Sequence, residues 1–207
     1  MSASGDGLVE FVAMMRLMRE RCAWKAGQTH RSLVRYLLEE TYETLEAIED
    51  GDPEHLCEEL GDLLLQVYFH AAIAEENGEF SIDDVIDGLT DKMVRRNPHV
   101  FGETAGRRLT IEEIEDGWQA AKAGEKSERT SVWDGIPTAL PALSYADKVL
   151  SRVGHDIADE PDPADRPLGE RLLALVAEAR RDGLDAEQEL RIAVRALRDG
   201  VTAPPVE

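Results

Sequence analysis

The stretch LLEETYETLEAIEDGDPEHLCEELGDLLLQV, residues 37–67, leaves this chain few choices. Apolar residues recur at three- and four-residue intervals on both sides of Gly51-Asp52-Pro53, the spacing of two amphipathic helices. Gly51 suits a left-handed helix stop, Asp52 an N-cap and Pro53 a first helical position. A turn this short makes its two flanking helices antiparallel neighbours. Yet Glu40, Glu43, Glu59 and Asp62 lie beside the apolar stripes that should face a core. Carboxylates are seldom buried without a partner.

Glu40 and Glu43 are three residues apart and share a helix face, and Glu59 and Asp62 repeat that spacing on the next helix. Glu43 lies eight residues before Gly51 and Glu59 six after Pro53; Glu40 lies eleven before and Asp62 nine after. At about 1.5 Å of rise per residue, each cross-helix pair differs in height by only about 3 Å. The four carboxylates can therefore meet between the helices. Four converging carboxylates do not all stay ionised without cations, and an all-oxygen donor set suits a hard ion, Mg²⁺ or Mn²⁺. Di-iron bundles use Glu-x-x-His pairs, and no His stands three residues after these glutamates. A solvated acidic helix pair would show the same spacing, so spacing alone leaves both readings open.

The rest of the chain also reads as helix. Periodicity and caps predict helices over 8–20, 32–50 and 53–76, from Ser81 to before Pro98, from Thr110 to about 123, and over 168–181 and 186–198. RCAWKAGQTH reads as a loop, and Ser81/Asp84 and Thr110/Glu113 as capping boxes. No stretch shows sustained strand alternation, so the expected fold class is all-α. LLLQVYFHAAIA, residues 63–74, is apolar nearly all round. A domain this small has little protein with which to surround such a helix, which points to a homo-oligomer, a dimer first.

Composition removes several function classes. A formal net charge of −20 argues against a broad basic face for nucleic acid. No apolar run approaches a membrane span, and MSASGDGLVE lacks the basic start of a signal peptide. Cys22 and Cys57 form neither a CxxC nor a disulfide framework, which fits the cytoplasm. Against this acidic background, residues 92–108 hold five basic side chains, Lys92, Arg95, Arg96, Arg107 and Arg108, and one acidic one, Glu103. Lys92 and Arg96 are four apart, as are Trp118 and Lys122. Such pairs suit a phosphate clamp beside an aromatic face, or a plain helix-dipole placement.

EETYE (39–43) followed by ELGD (59–62), DKMVRRNPHVF (91–101), WQAAK (118–122) and IPTALPALSYADKV (136–149) together resemble the MazG-type nucleoside triphosphate pyrophosphohydrolases, over about residues 8–150. The loop CAWKAGQTH departs from that family's usual C-P-W-D-x-x-Q-T-H at Ala23 and Lys25. The resemblance implies a MazG-type helical bundle with its active site between antiparallel helices and completed by oligomerisation. It implies Mg²⁺-dependent conversion of a nucleoside triphosphate to the monophosphate and pyrophosphate, with Mn²⁺ as a possible substitute, in cleansing of the nucleotide pool. Family metal ligands fall on Glu40, Glu43, Glu59 and Asp62, and family substrate contacts on Lys92, Arg96, Trp118 and Lys122. Glu43 is the favoured residue to orient or deprotonate the attacking water. The alternatives are a narrow enzyme of the same fold (a dUTP or dCTP pyrophosphatase, or a phosphoribosyl-ATP pyrophosphohydrolase) and a non-enzymatic nucleotide-sensing or partner-binding module.

The expected domain plan is a catalytic domain over 1–125, a linker over 126–166 that includes the Asp- and Pro-rich GHDIADEPDPADRP, a partial second repeat over 167–198 and a loose tail over 199–207. In the repeat, PLGERLL echoes ELGDLLL, but Pro167 replaces Glu59 and Glu170 replaces Asp62. No EExxE helix precedes it, so the repeat should hold no metal site.

Overall fold

The computed structural model describes residues 4–102, 105–124, 131–153 and 166–200. Among them regular structure is entirely helical, with no strand, so the fold is all-α. The chain divides into two compact units, residues 1–123 and 124–207.

The first unit contains α1 (Ser4–Arg21), α2 (Ala23–Ala26), α3 (His30–Asp50), α4 (Pro53–Glu76), α5 (Ile82–Arg96), α6 (Pro98–Phe101) and α7 (Ile111–Gly124). Local chemistry sets most of these limits. Gly51 stops α3 at φ 72°, donating its N–H to the Ala47 carbonyl. Asp52 then accepts from the Glu54 N–H, and Pro53 opens α4. The Ser81/Asp84 box starts α5, and Thr110 and Glu113 exchange side-chain-to-backbone hydrogen bonds ahead of α7. Several limits differ from the sequence expectation: α1 begins at Ser4 rather than Leu8, and Pro98 opens the extra turn α6. Thr29 and Ser32 form a capping box that starts α3 at His30 rather than Ser32. The loop RCAWKAGQTH holds the single turn α2.

The core of this unit joins α1, α3, α4 and α5 through Met15, Leu33, Tyr68, Phe69, Ala71, Ile73 and Ile82. Phe11 sets its ring edge-on to Tyr68, with centroids 5.1 Å apart. Burial of each large side chain is worth about 1.5–3 kcal/mol. A charged clamp fixes how α1 meets this core. Arg19 is only 7% exposed. Its Nε donates to Glu76 at 2.8 Å, and its Nη1 donates to the carbonyls of Lys25 and Gln28. One guanidinium thus ties α1 to the end of α4 and to the turn that leads into α3.

Residues 63–74 are central only on one side. Gln66, Tyr68, Phe69 and Ala71 to Ala74 are buried, whereas Leu60, Leu64 and Val67 stay exposed. On α3, Val34, Leu38, Tyr42, Leu45 and Ile48 are exposed as well. Val34, Leu45 and Ile48 on α3 and Leu60 and Val67 on α4 each sit one residue past an inward position, Leu33, Thr44, Ala47, Glu59 and Gln66. Antiparallel helices are related by a twofold axis normal to their common plane. An equal angular offset therefore puts both sets on the same side of the hairpin, as one apolar face.

The second unit contains α8 (Ala142–Val153), α9 (Leu168–Arg181) and α10 (Ala186–Gly200). Leu150, Val176 and Ala177 form a small core, flanked by Leu143, Ala146, Leu173 and Ala186. Arg180 donates to Asp147 at 2.9 Å, joining α8 to α9. Helix α8 thus lies inside the stretch 126–166 read as a linker. Residues 154–165 of the Asp- and Pro-rich segment, and 201–207 of the expected tail, lie outside the described residues. No described helix is long and apolar enough to cross a membrane.

Replacing Arg19 by Met should lower the unfolding free energy by about 2 kcal/mol at pH 7, since charge-assisted hydrogen bonds are lost and two carbonyls are left unpaired. The Arg19 hydrogen bonds hold the Glu76 carboxyl below the usual carboxylate range. The stabilisation linked to that shift is therefore complete above the ordinary Glu value of about 4.3 and is lost as pH falls through the depressed folded value. Urea unfolding at pH 7 and pH 3 checks both points: the gap between wild type and Arg19→Met should narrow in acid.

Candidate metal centre and phosphate-binding residues

The Gly51–Pro53 turn brings the acidic faces of α3 and α4 together as their spacing required. One carboxylate oxygen from each of Glu40, Glu43 and Glu59 lies within 4.8 Å of the others. Asp62 stands outside this tight group but close enough for its charge to act on Glu40. The Glu40 carboxyl is pushed above the usual carboxylate range, first by burial, then by the negative charges of Asp62, Glu43, Glu59 and Glu39. Glu43 is exposed to solvent. The Glu59 side chain is 12% exposed, with Oε1 3.3 Å from His55 Nε2. Glu59 Oε2 is buried without a hydrogen-bond partner.

Three polar residues that the sequence reading did not single out complete the seam. Thr44 is buried, and its hydroxyl lies 2.7 Å from the Glu40 carbonyl and 3.4 Å from the Glu59 carbonyl, linking the two helices beside the acids. Gln66, also buried, donates from Nε2 to Glu40 Oε1 at 3.5 Å. His55 sits one turn before Glu59. The available signals were their i,i+4 positions relative to Glu40, Asp62 and Glu59, and, for Gln66, a polar residue interrupting an apolar run.

These groups fit a hard divalent cation. The clustered donors are all carboxylate oxygens. One of them belongs to a residue with a second, buried and unpartnered oxygen. Glu40 is pushed up by burial and like charge. A cation would relieve each of these features at once.

A second group forms where α7 meets α5. The Arg96 guanidinium lies 5.2 Å from the Trp118 ring centroid, and the Lys122 ammonium lies 4.8 Å from the same ring. Lys92 is half-buried one turn before Arg96. The structure therefore joins Arg96, Trp118 and Lys122 around one aromatic ring. Toward the open end of the α3–α4 hairpin, His30 and His70 stack with ring centroids 5.0 Å apart, their Nδ1 atoms 2.7 Å from each other. A hydrogen bond between those two nitrogens requires one of them to carry the proton. Burial, and secondarily the neighbouring His30, hold the His70 pKa below the usual imidazole value.

Comparison with known proteins is consistent with this geometry. The profile of the MazG nucleotide pyrophosphohydrolase domain matches residues 28–101, a span that holds all four carboxylates together with Lys92 and Arg96. The chain is 38% identical over 220 residues to the Thermotoga maritima protein named nucleoside triphosphate pyrophosphohydrolase/pyrophosphatase MazG, covering 94% of this chain and 84% of that one. It is 45% identical over 202 residues to an uncharacterised 26.1 kDa protein of Streptomyces cacaoi, covering 96% and 83%. A nucleoside triphosphate pyrophosphohydrolase of Mycobacterium tuberculosis is 48% identical over 167 residues, covering 77% of this chain and 50% of that one, so this chain spans a fraction of the longer relative. With the hairpin inside the matched domain and most of the Thermotoga relative covered, the chain belongs to the MazG nucleotide pyrophosphohydrolase family.

Proposed function

We propose that this chain hydrolyses nucleoside triphosphates to the monophosphate and pyrophosphate in a Mg²⁺-dependent reaction, with Mn²⁺ as substitute, and so clears nucleotides from the cellular pool. The observation that carries this reading is the cluster of Glu40, Glu43 and Glu59 within 4.8 Å between α3 and α4. Family membership and the names of the relatives support the reaction class. Glu40, Glu43, Glu59 and Asp62 would hold the cation, which when bound supplies charge neutralisation for phosphate oxygens and acidifies water.

The remaining roles fall to the chain's own groups. Glu43, the exposed carboxylate of the cluster, orients the attacking water and takes its proton. The water oxygen bonds to the α-phosphorus as the bond from that phosphorus to the bridging oxygen breaks, and pyrophosphate leaves. Lys92, Arg96 and Lys122 hold the phosphate chain and stabilise the charge that develops on it. Trp118 offers its ring to the rest of the nucleotide. Helix α5 is long enough for this: Ile82 to Arg96 rises about 21 Å, the same as the climb from Glu76 back to Asp62.

A second copy of the chain would cover the apolar face formed by Val34, Leu38, Tyr42, Leu45 and Ile48 with Leu60, Leu64 and Val67, giving a homodimer. The segment 167–198 is a partial repeat without a metal site and adds no catalytic group.

The central test incubates a panel of nucleoside triphosphates with the protein and Mg²⁺ and separates the products. Pyrophosphate with monophosphate is expected; orthophosphate as the first product would overturn attack at the α-phosphorus. Glu43→Gln should lower turnover roughly a thousandfold while circular dichroism stays unchanged. Lys92→Ala and Arg96→Ala should each weaken a non-hydrolysable nucleotide roughly tenfold by calorimetry, yet leave Mg²⁺ binding intact; unchanged affinity in both would return these residues to a helix-dipole role. The double change Leu38→Glu and Leu64→Glu should convert the dimer to a monomer by light scattering, and a persistent dimer would place the interface elsewhere.

A further inference from the structure

We propose that Gln66 is a positioning residue of the carboxylate centre: its buried amide holds one oxygen of Glu40, leaving the other to the cation. The proposal rests on the metal reading above. Gln66 is 5% exposed, and its sequence neighbours on α4 are Leu63, Leu64, Leu65 and Val67. It lies four residues beyond Asp62 and seven beyond Glu59, so it shares their face of the helix. Its Nε2 is 3.5 Å from Glu40 Oε1, the long end of a hydrogen bond. Its own Oε1 is buried and has no hydrogen-bond partner among the described residues.

Packing gives no reason for an amide here. An apolar side chain of the same length would fill the space without burying an unpaired carbonyl. What an apolar chain lacks is a donor for Glu40. A flipped amide would set oxygen against carboxylate oxygen, so the neighbouring acid selects the orientation with Nε2 inward. A Glu at this position would have nearly the shape of Gln66 but would add a fifth acid to a centre already crowded with charge. Glutamine is the side chain of this shape that gives an N–H without a charge. A carboxylate anchored at one oxygen loses rotational freedom, and its other oxygen is preset for a cation. Outer partners of this type set how tightly a metal is held.

The test uses the full chain and Mn²⁺ alone, followed by electron paramagnetic resonance of the free ion. Gln66→Met, similar in volume and apolar, should weaken Mn²⁺ binding about tenfold or more. The half-saturating Mg²⁺ for turnover should rise in parallel. The metal-free melting temperature should hold or rise, since a buried unpaired carbonyl is removed; a purely structural role predicts a fall in melting temperature with no change in metal affinity. Gln66→Asn keeps the amide but shortens its stem, and should weaken Mn²⁺ in the same direction, so it carries the test if Gln66→Met does not fold. Mn²⁺ affinity within twofold of wild type in a folded variant overturns the proposal. Absence of Mn²⁺ binding by the wild type would instead overturn the metal reading of the carboxylates, and this proposal with it.

Discussion

Like charges held close together on one hairpin set the terms for the first unit. Glu40, Glu43 and Glu59 meet because the αL turn at Gly51 folds α4 back on α3 with the acids at matching heights. Nothing within the carboxylate set itself favours that arrangement: burial and mutual repulsion raise the Glu40 carboxyl out of its usual range. The hairpin must therefore draw its stability from elsewhere along the same two helices. A binding surface that is destabilising by itself and supported by its scaffold is a common trade in enzymes.

The support lies toward the open end. Leu33, Phe69, Tyr68 and Ile73 pack against Met15 of α1 and Ile82 of α5, and Arg19 pins α1 to Glu76 and to the turn before α3. The hairpin is thus divided along its length, with an apolar and clamped open end and the acids near its middle. Thr44 and Gln66 lie along the seam, buried polar side chains that contact the backbone or carboxylate of Glu40. Around the outside, α3 and α4 show two chemically distinct surfaces, an acid cleft and an apolar face, and one sequence period of 3.6 encodes both.

Much of the fold was legible because its signals are local. Gly51-Asp52-Pro53, Ser81/Asp84 and Thr110/Glu113 act over three or four residues, and each forms as its chemistry dictates. The start of α3 was misplaced because Ser32, and not Glu or Gln, closes the Thr29 box. Helix α2 is a single turn, too short for a period to show. Helix α8 ends just before the Asp- and Pro-rich segment, in a stretch read whole as a linker; its Leu143, Ala146 and Leu150 gain meaning only when α9 supplies Val176 and Ala177.

The sequence by itself determined the all-α fold, the antiparallel hairpin and the facing acids, because helical rise and turn chemistry are functions of spacing alone. Tertiary structure decided what spacing does not encode. Side-chain rotamers drew Glu40, Glu43 and Glu59 into one cluster and left Asp62 just outside it. The approach of α7 to α5 placed Arg96 on Trp118, too far away in the chain for a local rule to connect them, whereas Lys122 reaches the same ring from one turn along α7. Burial between α3 and α4 turned Gln66 from one polar letter in an apolar run into a contact of Glu40. A partner across a seam has no fixed offset in the chain, so these contacts exist only once the helices have packed.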